Sequence, residues 1–268
     1  MLSFDFMQNA LLAGVLVAVA CGVMGSFVVV NRLSGLAGGI AHASYGGVGL
    51  ACFFGFSPVL GSLGFALLCA ALMGLLTYRD RERADTLIGV IWATGMALGV
   101  ILTDLTPGYS GDMMGFLFGS ILTVPSELLY LMAGLLVVIL VTVVALFPKF
   151  LSVSYDPEFA RARGERVLLL YMILIGLTTL TVVMAVQAVG LILVLALLTL
   201  PAFMAEHYAK SLRSMMVLAS LISAVLVVFG IGLAYSFNLA TGPVIILSGV
   251  VLYLANLGIS RLRRLKKS

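Results

Sequence analysis

The sequence predicts an all-α, polytopic transmembrane bundle, and three observations carry that prediction. The 268 residues are 62% hydrophobic and only 10% charged, with a mean hydropathy of +1.22. A soluble domain is nearer half apolar and a quarter charged. The apolar residues gather in long runs, and a membrane-spanning helix needs about 20 of them. The runs do not alternate, which excludes an outer-membrane barrel. They are also far too many for a signal peptide ahead of a soluble domain.

In chain order the expected spans fall at about 8–30, 38–56, 58–78, 86–103, 126–148, 166–187, 189–206, 214–235 and 241–260. The count is nine, or eight if one span is re-entrant. Gly61-Ser62-Leu63-Gly64 and the AVGLI stretch, Ala188 to Ile192, suit tight turns. The sequence reads as one membrane domain over residues 1–268, with no soluble domain, linker, internal repeat or low-complexity tract. Nothing matches the phosphate-binding GxxxxGK[ST] pattern.

Charge sets the orientation. The lysines and arginines lie in alternate connections: Arg32; Arg79, Arg81 and Arg83; Lys149, Arg161, Arg163 and Arg166; Lys210 and Arg213; and the tail from Arg261 to Lys267. The positive-inside rule then places the N-terminus outside and the C-terminus in the cytoplasm. That arrangement needs an odd number of spans, and nine satisfies it. The net charge of +4 follows from the same bias and gives no reason to expect a nucleic-acid partner. The outer segments carry Asp5, Asp104, Asp112 and Glu127 and no base, a pattern that concentrates cations at a mouth. Cys21, Cys52 and Cys69 lie in apolar runs without CxxC spacing and read as small core residues.

Four stretches carry chemistry. In GLAGGIAHASYGGVG, Gly35 to Gly49, the glycines let helix backbones approach closely. They leave His42 unexplained. A histidine in a span faces a partner or a wet cavity, and neutral imidazole is a common metal ligand; a hydrogen-bonded core role is the alternative. In the outer segment Ile101 to Leu128, MGFLFGSIL is apolar but too short to cross and reads as an interfacial or half-membrane helix. Asp104 and Asp112 flank its turn, either as loop residues or as carboxylate ligands. The inner loop Phe147 to Val167 holds a short helix of its own. Asp156 caps it, Pro157 and Glu158 suit its first turn, Arg161 and Arg163 follow, and Gly164 ends it. Such a helix lies on the membrane or docks a cytosolic partner. Glu206 and His207, after Pro201 at an inner helix end, form either a ligand pair or a polar interface.

Taken together these stretches resemble the membrane permease subunit of ABC transporters that import zinc, manganese or iron. TLIGVIWATGMALGVIL, Thr86 to Leu102, resembles the family's fourth span, and GDMMGFLFGSIL, Gly111 to Leu122, its short outer helix. SYDPEFARARG, Ser154 to Gly164, is similar to its cytoplasmic coupling stretch. Met184 to Ala205 and Leu233 to Gly249 are similar to its late spans. The resemblance runs over most of the chain, with five pieces in the right order.

The resemblance implies a homodimer in the cytoplasmic membrane, driven by two copies of a cytosolic ATPase and fed by an extracytoplasmic metal-binding protein. ATP would be bound and hydrolysed by the partner, so this chain is expected to be no enzyme and to carry no covalent cofactor; a divalent zinc, manganese or iron ion is its cargo. His42 falls at the family's path-lining histidine. The coupling helix, at about 154–165, would present Asp156, Pro157, Glu158, Ala160 and Gly164. One departure stands out: many members carry Asp four residues before that histidine, where this chain has Gly38. The resemblance transfers no role to Glu206 and His207. Two rival readings are a permease for a metal chelate, such as a siderophore or corrinoid, and an ion-coupled secondary carrier. A carrier needs acids deep in its spans, and the sequence places none there.

Overall fold

The computed structural model describes residues 5–80, 82–106, 119 and 121–265, with side chains from residue 6 to 256 in those segments. The described residues are helical apart from short connections and contain no strand. Helix α1 covers Asp5–Val30, α2 Ser34–Phe54, α3 Pro58–Arg79 and α4 Ala84–Asp104. A 3-10 turn at Ile121–Thr123 leads to α5, Ser126–Tyr155, and the short α6, Pro157–Ala162. Then come α7, Val167–Val189; α8, Leu191–Glu206; α9, Leu212–Phe237; and α10, Thr241–Leu265.

Local chemistry sets the boundaries. Gly55, at φ +75°, closes α2, and Pro58 opens α3 after an extended Ser57. Gly190, at φ +80° and ψ +165°, separates α7 from α8. That conformation is essentially confined to glycine. Ser211 and Ser214 form a reciprocal capping box at the start of α9, and Asn238, at φ +53°, ends it.

Two sequence expectations change. Gly61 to Gly64 lie inside α3, so the turn falls at Gly55 to Ser57 instead. Gly61 serves packing, since a Cβ on Gly47 would come within 2.2 Å of its carbonyl oxygen, whereas Gly64 has open space around it. The span expected at 126–148 runs on to Tyr155 through Pro148. The inner connection therefore begins at Asp156 rather than near Phe147.

Among the described residues, six helices are long and apolar enough to cross a membrane: α1, α3, α4, α5, α7 and α9. Glycines, Ser44, Tyr45 and His42 dilute the apolarity of α2. Helix α8 has 16 residues, about 24 Å at 1.5 Å per residue against a hydrocarbon core of about 30 Å.

Burial orders the bundle. The apolar window of α1 is 72% buried and that of α7 61%, against 22% for α4 and α5. Helices α1 and α7 thus form the centre, as expected of helices that are apolar all round. Helix α1 runs antiparallel to α9, with Gly22 against Ser220 and Gly14 against Val227. Helices α2 and α4 run parallel and in register: Gly39 meets Ile88, Ala43 meets Gly95, and Gly49 meets Gly99. At the last pair a Cβ on Gly49 would sit 2.5 Å from the Gly99 carbonyl oxygen. Small residues permit this backbone approach, as is common in membrane bundles.

Candidate functional site

The α2–α4 seam positions His42. Its ring stacks on Trp92 of α4, with centroids 4.8 Å apart and planes 25° apart. Its Nδ1 is buried and has no hydrogen-bond partner. A buried polar nitrogen without a partner is costly, and neutral imidazole nitrogen is a metal ligand. One helical turn below, Gly38 faces the Leu195 side chain of α8, whose nearest methyl would lie 3.4 Å from an added Cβ. One turn above, Gly46 packs against Phe65 and the Gly95 carbonyl. The histidine thus has a glycine on each side of it along its own face.

Towards the end of the bundle that bears the basic residues, the seam stays tight. A Cβ on Gly39 would lie 2.6 Å from Ile88 and 3.2 Å from Met73. Beyond them opens a cavity of about 530 Å³, lined by Asn31, Arg32, Thr77, Tyr78, Asp85 and Ser154 among others.

The remaining sequence candidates are dispersed. Asp104 is exposed at the far end of α4, 12 residues and so about 18 Å along the helix from Trp92. Asp112 and most of MGFLFGSIL lie outside the described residues. Of that stretch, Gly119 is described, at φ +60°, packed against the Val189–Gly190 backbone. Glu206 and His207 are exposed at the basic end of α8. His207 Nδ1 lies 3.3 Å from the Phe203 carbonyl and its ring packs edge-on to Phe203. Glu206 lines a separate cavity with Arg32, Ser34, Thr199 and Tyr253. Among the described residues, no three His, Cys, Asp or Glu side chains converge as a metal site.

The short helix α6 is built by its sequence. The Asp156 carboxylate accepts a hydrogen bond from the Phe159 amide at 2.9 Å, Pro157 occupies the first turn, and Gly164 leaves at φ +83°. Ala160 is fully buried, while Glu158, Phe159, Arg161 and Arg163 are exposed. Lys149 and Glu165 pair at 3.6 Å across its base.

The sequence reading missed three contacts. Trp92, the single tryptophan, is the ring against His42. Gln187 of α7 donates to Ser62 of α3 at 3.1 Å, and Asn31 donates to Ser154 at 3.0 Å. Each is a contact between residues far apart in the chain, which neither residue shows singly.

Comparison with known proteins agrees with this architecture. The model of the ABC 3 transport family matches residues 3–260. The chain is 47% identical to the uncharacterised membrane protein slr2045 of Synechocystis sp., over 97% of this chain and 92% of that one. It is 35% identical to the manganese import system permease protein ScaB of Streptococcus parasanguinis, over 98% of this chain and 94% of that one. The solved structure of PsaBC from Streptococcus pneumoniae in complex with Fab is similar at a TM-score of 0.85 and 34% identity, covering 95% of this chain and 91% of that one. With a family match over nearly its whole length and an all-helical, multi-span body, this chain belongs to the ABC 3 transport family and is a multi-pass membrane permease.

Proposed function

We propose that this chain is the membrane subunit of an ATP-driven importer of a divalent transition metal, with manganese the first candidate ahead of zinc and iron. The carrying observation is the end-to-end similarity to proteins named for manganese import or transport. The orphaned Nδ1 of His42 on a glycine-lined seam supports the reading from within the chain. In this reading the chain crosses the membrane nine times, N-terminus outside. It works as a homodimer with a cytosolic ATPase and an extracytoplasmic metal-binding protein.

The mouth would carry Asp104 and Asp112, whose charge raises the local concentration of cations delivered there. His42 would offer one nitrogen to the passing ion, and the same residue of a second copy would offer another. A site with so few donors in each chain is weak, as transport requires release as well as capture. Oxygen donors suit manganese, and imidazole is accepted by manganese, zinc and iron alike. On the cytoplasmic side, α6 would dock in the ATPase through Glu158 and the neighbouring positions Asp156, Pro157, Ala160 and Gly164. Closure of the ATPase would then rock the spans.

The test is elemental analysis of cells expressing the chain with its ATPase and binding protein. Manganese accumulation that depends on ATP hydrolysis supports the proposal. Accumulation of a chelate with no change in any free metal overturns it.

A further inference from the structure

We propose that Asn31 and Ser154 form a mechanical relay that carries movement of α6 to the foot of the helix bearing His42. The inference rests on the proposed docking of α6 in the ATPase.

The end of α5, helix α6 and the start of α7 form one tied body. The Asp156 amide donates to the Ser152 carbonyl, the Glu165 amide to the Ala160 carbonyl, and Lys149 pairs with Glu165. Ser154 sits inside this body, two residues before the Asp156 cap. A second tied body is the turn between α1 and α2. Leu33 N donates to Val28 O at 2.8 Å, and Ala37 N donates to Leu33 O at 2.9 Å. Between them, Arg32 holds φ +56°, an unusual conformation for a residue other than glycine.

The cavity of about 530 Å³ lies at the junction of the two bodies, with Asn31 and Ser154 both in its wall. The Asn31 side-chain nitrogen donates to Ser154 Oγ at 3.0 Å and also to the Phe27 carbonyl at 2.9 Å. A second link runs from Arg161 of α6 to the Tyr78 hydroxyl at the end of α3, 3.1 Å away. Tyr78 in turn packs on Tyr171 of α7. Displacement of α6 thus reaches α2 through Asn31 and α3 through Tyr78. His42 stands 11 residues beyond Asn31, and most of that distance is rigid helix. Asn31 and Ser154 are positioning residues: neither touches the ion, and both set when the His42 seam moves relative to ATPase closure.

The experiment uses the complete transporter in proteoliposomes, with manganese as the probe and with manganese uptake and ATP hydrolysis measured together. Ser154→Ala removes the link and keeps the Asn31–Phe27 bond; Asn31→Leu removes both. The expected result is an ATPase that stays bound and hydrolyses at a near wild-type rate, while manganese moved per ATP falls about tenfold in each variant. The exchange Asn31→Ser with Ser154→Asn, which rebuilds a hydrogen-bonding pair, restores much of the ratio. A merely structural role lowers hydrolysis and uptake together and leaves the ratio unchanged, and that outcome overturns the relay. Glu158→Arg separates the two levels of the argument. If it detaches the ATPase while Ser154→Ala leaves the ratio intact, the relay alone fails. If Glu158→Arg leaves the ATPase bound and coupled, the docking of α6 fails and the relay with it.

Discussion

The His42 imidazole lies nearly flat on the Trp92 indole, 4.8 Å from centroid to centroid, at the point where α2 and α4 run side by side. The stack fixes the plane of the histidine while its buried Nδ1 stays without a partner. An aromatic pair of this kind contributes about 0.5–1.5 kcal/mol beyond its buried area.

That contact gives a direct optical readout. Trp92 is the single tryptophan, so the intrinsic fluorescence of the isolated permease reports this site. Manganese added to the permease in nanodiscs should quench it, and His42→Ala should abolish the quenching. Trp92→Leu should keep the protein folded and lower uptake by about two- to tenfold, the rate equivalent of losing the stacking energy. Unchanged uptake with Trp92→Leu would show that the ring orientation does not matter to passage.

Gly38→Asp tests the departure from the family pattern. The carboxylate would stand one turn from His42 on the same face. Leu195, at ordinary contact distance from an added Cβ, has only to give slightly. The variant should fold, bind manganese more tightly in the fluorescence titration and release it more slowly. If affinity is unaltered, Gly38 does not face the ion path.

The α7–α8 break depends on Gly190 having no side chain. At φ +80° and ψ +165°, Gly190→Ala should cost about 1–3 kcal/mol, read as a lowered thermal midpoint in detergent. Gly49→Ala should also destabilise, because its Cβ would overlap the Gly99 carbonyl; overpacking of this kind costs about 1–3 kcal/mol. Gly134→Ala, with open space around it, is the control and should leave the midpoint unchanged.

Asp104→Asn tests the mouth. If its charge steers the cation, the variant should slow uptake more at low ionic strength than at high, since salt screens the same field. An equal effect at both salts would leave Asp104 an ordinary solvated residue at the end of α4.

The bundle was legible because its signals are one-dimensional. Apolar runs locate helices, and glycine or proline punctuates them, as at Gly190, Pro58 and Pro157. The same reading stopped at Pro148, although α5 continues past it to Tyr155. A proline weakens a helix locally, and whether the helix continues depends on the packing around it. Gly61 to Gly64 read as a turn in the sequence, because a glycine placed for close packing, as Gly61 is, looks the same there as one placed for a turn. His42 stood out as a polar residue in an apolar span. Trp92 and the Asn31–Ser154 pair did not, because their meaning lies in contacts between residues 50 and 123 positions apart.

The central claim is that a divalent metal passes His42. The most direct measurement is cellular manganese, zinc and iron content with the chain co-expressed with an ATPase and binding protein, wild type against His42→Ala, with the amount of folded permease measured in both. The account predicts that one metal, manganese first, accumulates with wild type and fails to accumulate with His42→Ala at equal levels of folded permease. Equal accumulation in the two would contradict it and return His42 to the packing of the α2–α4 seam.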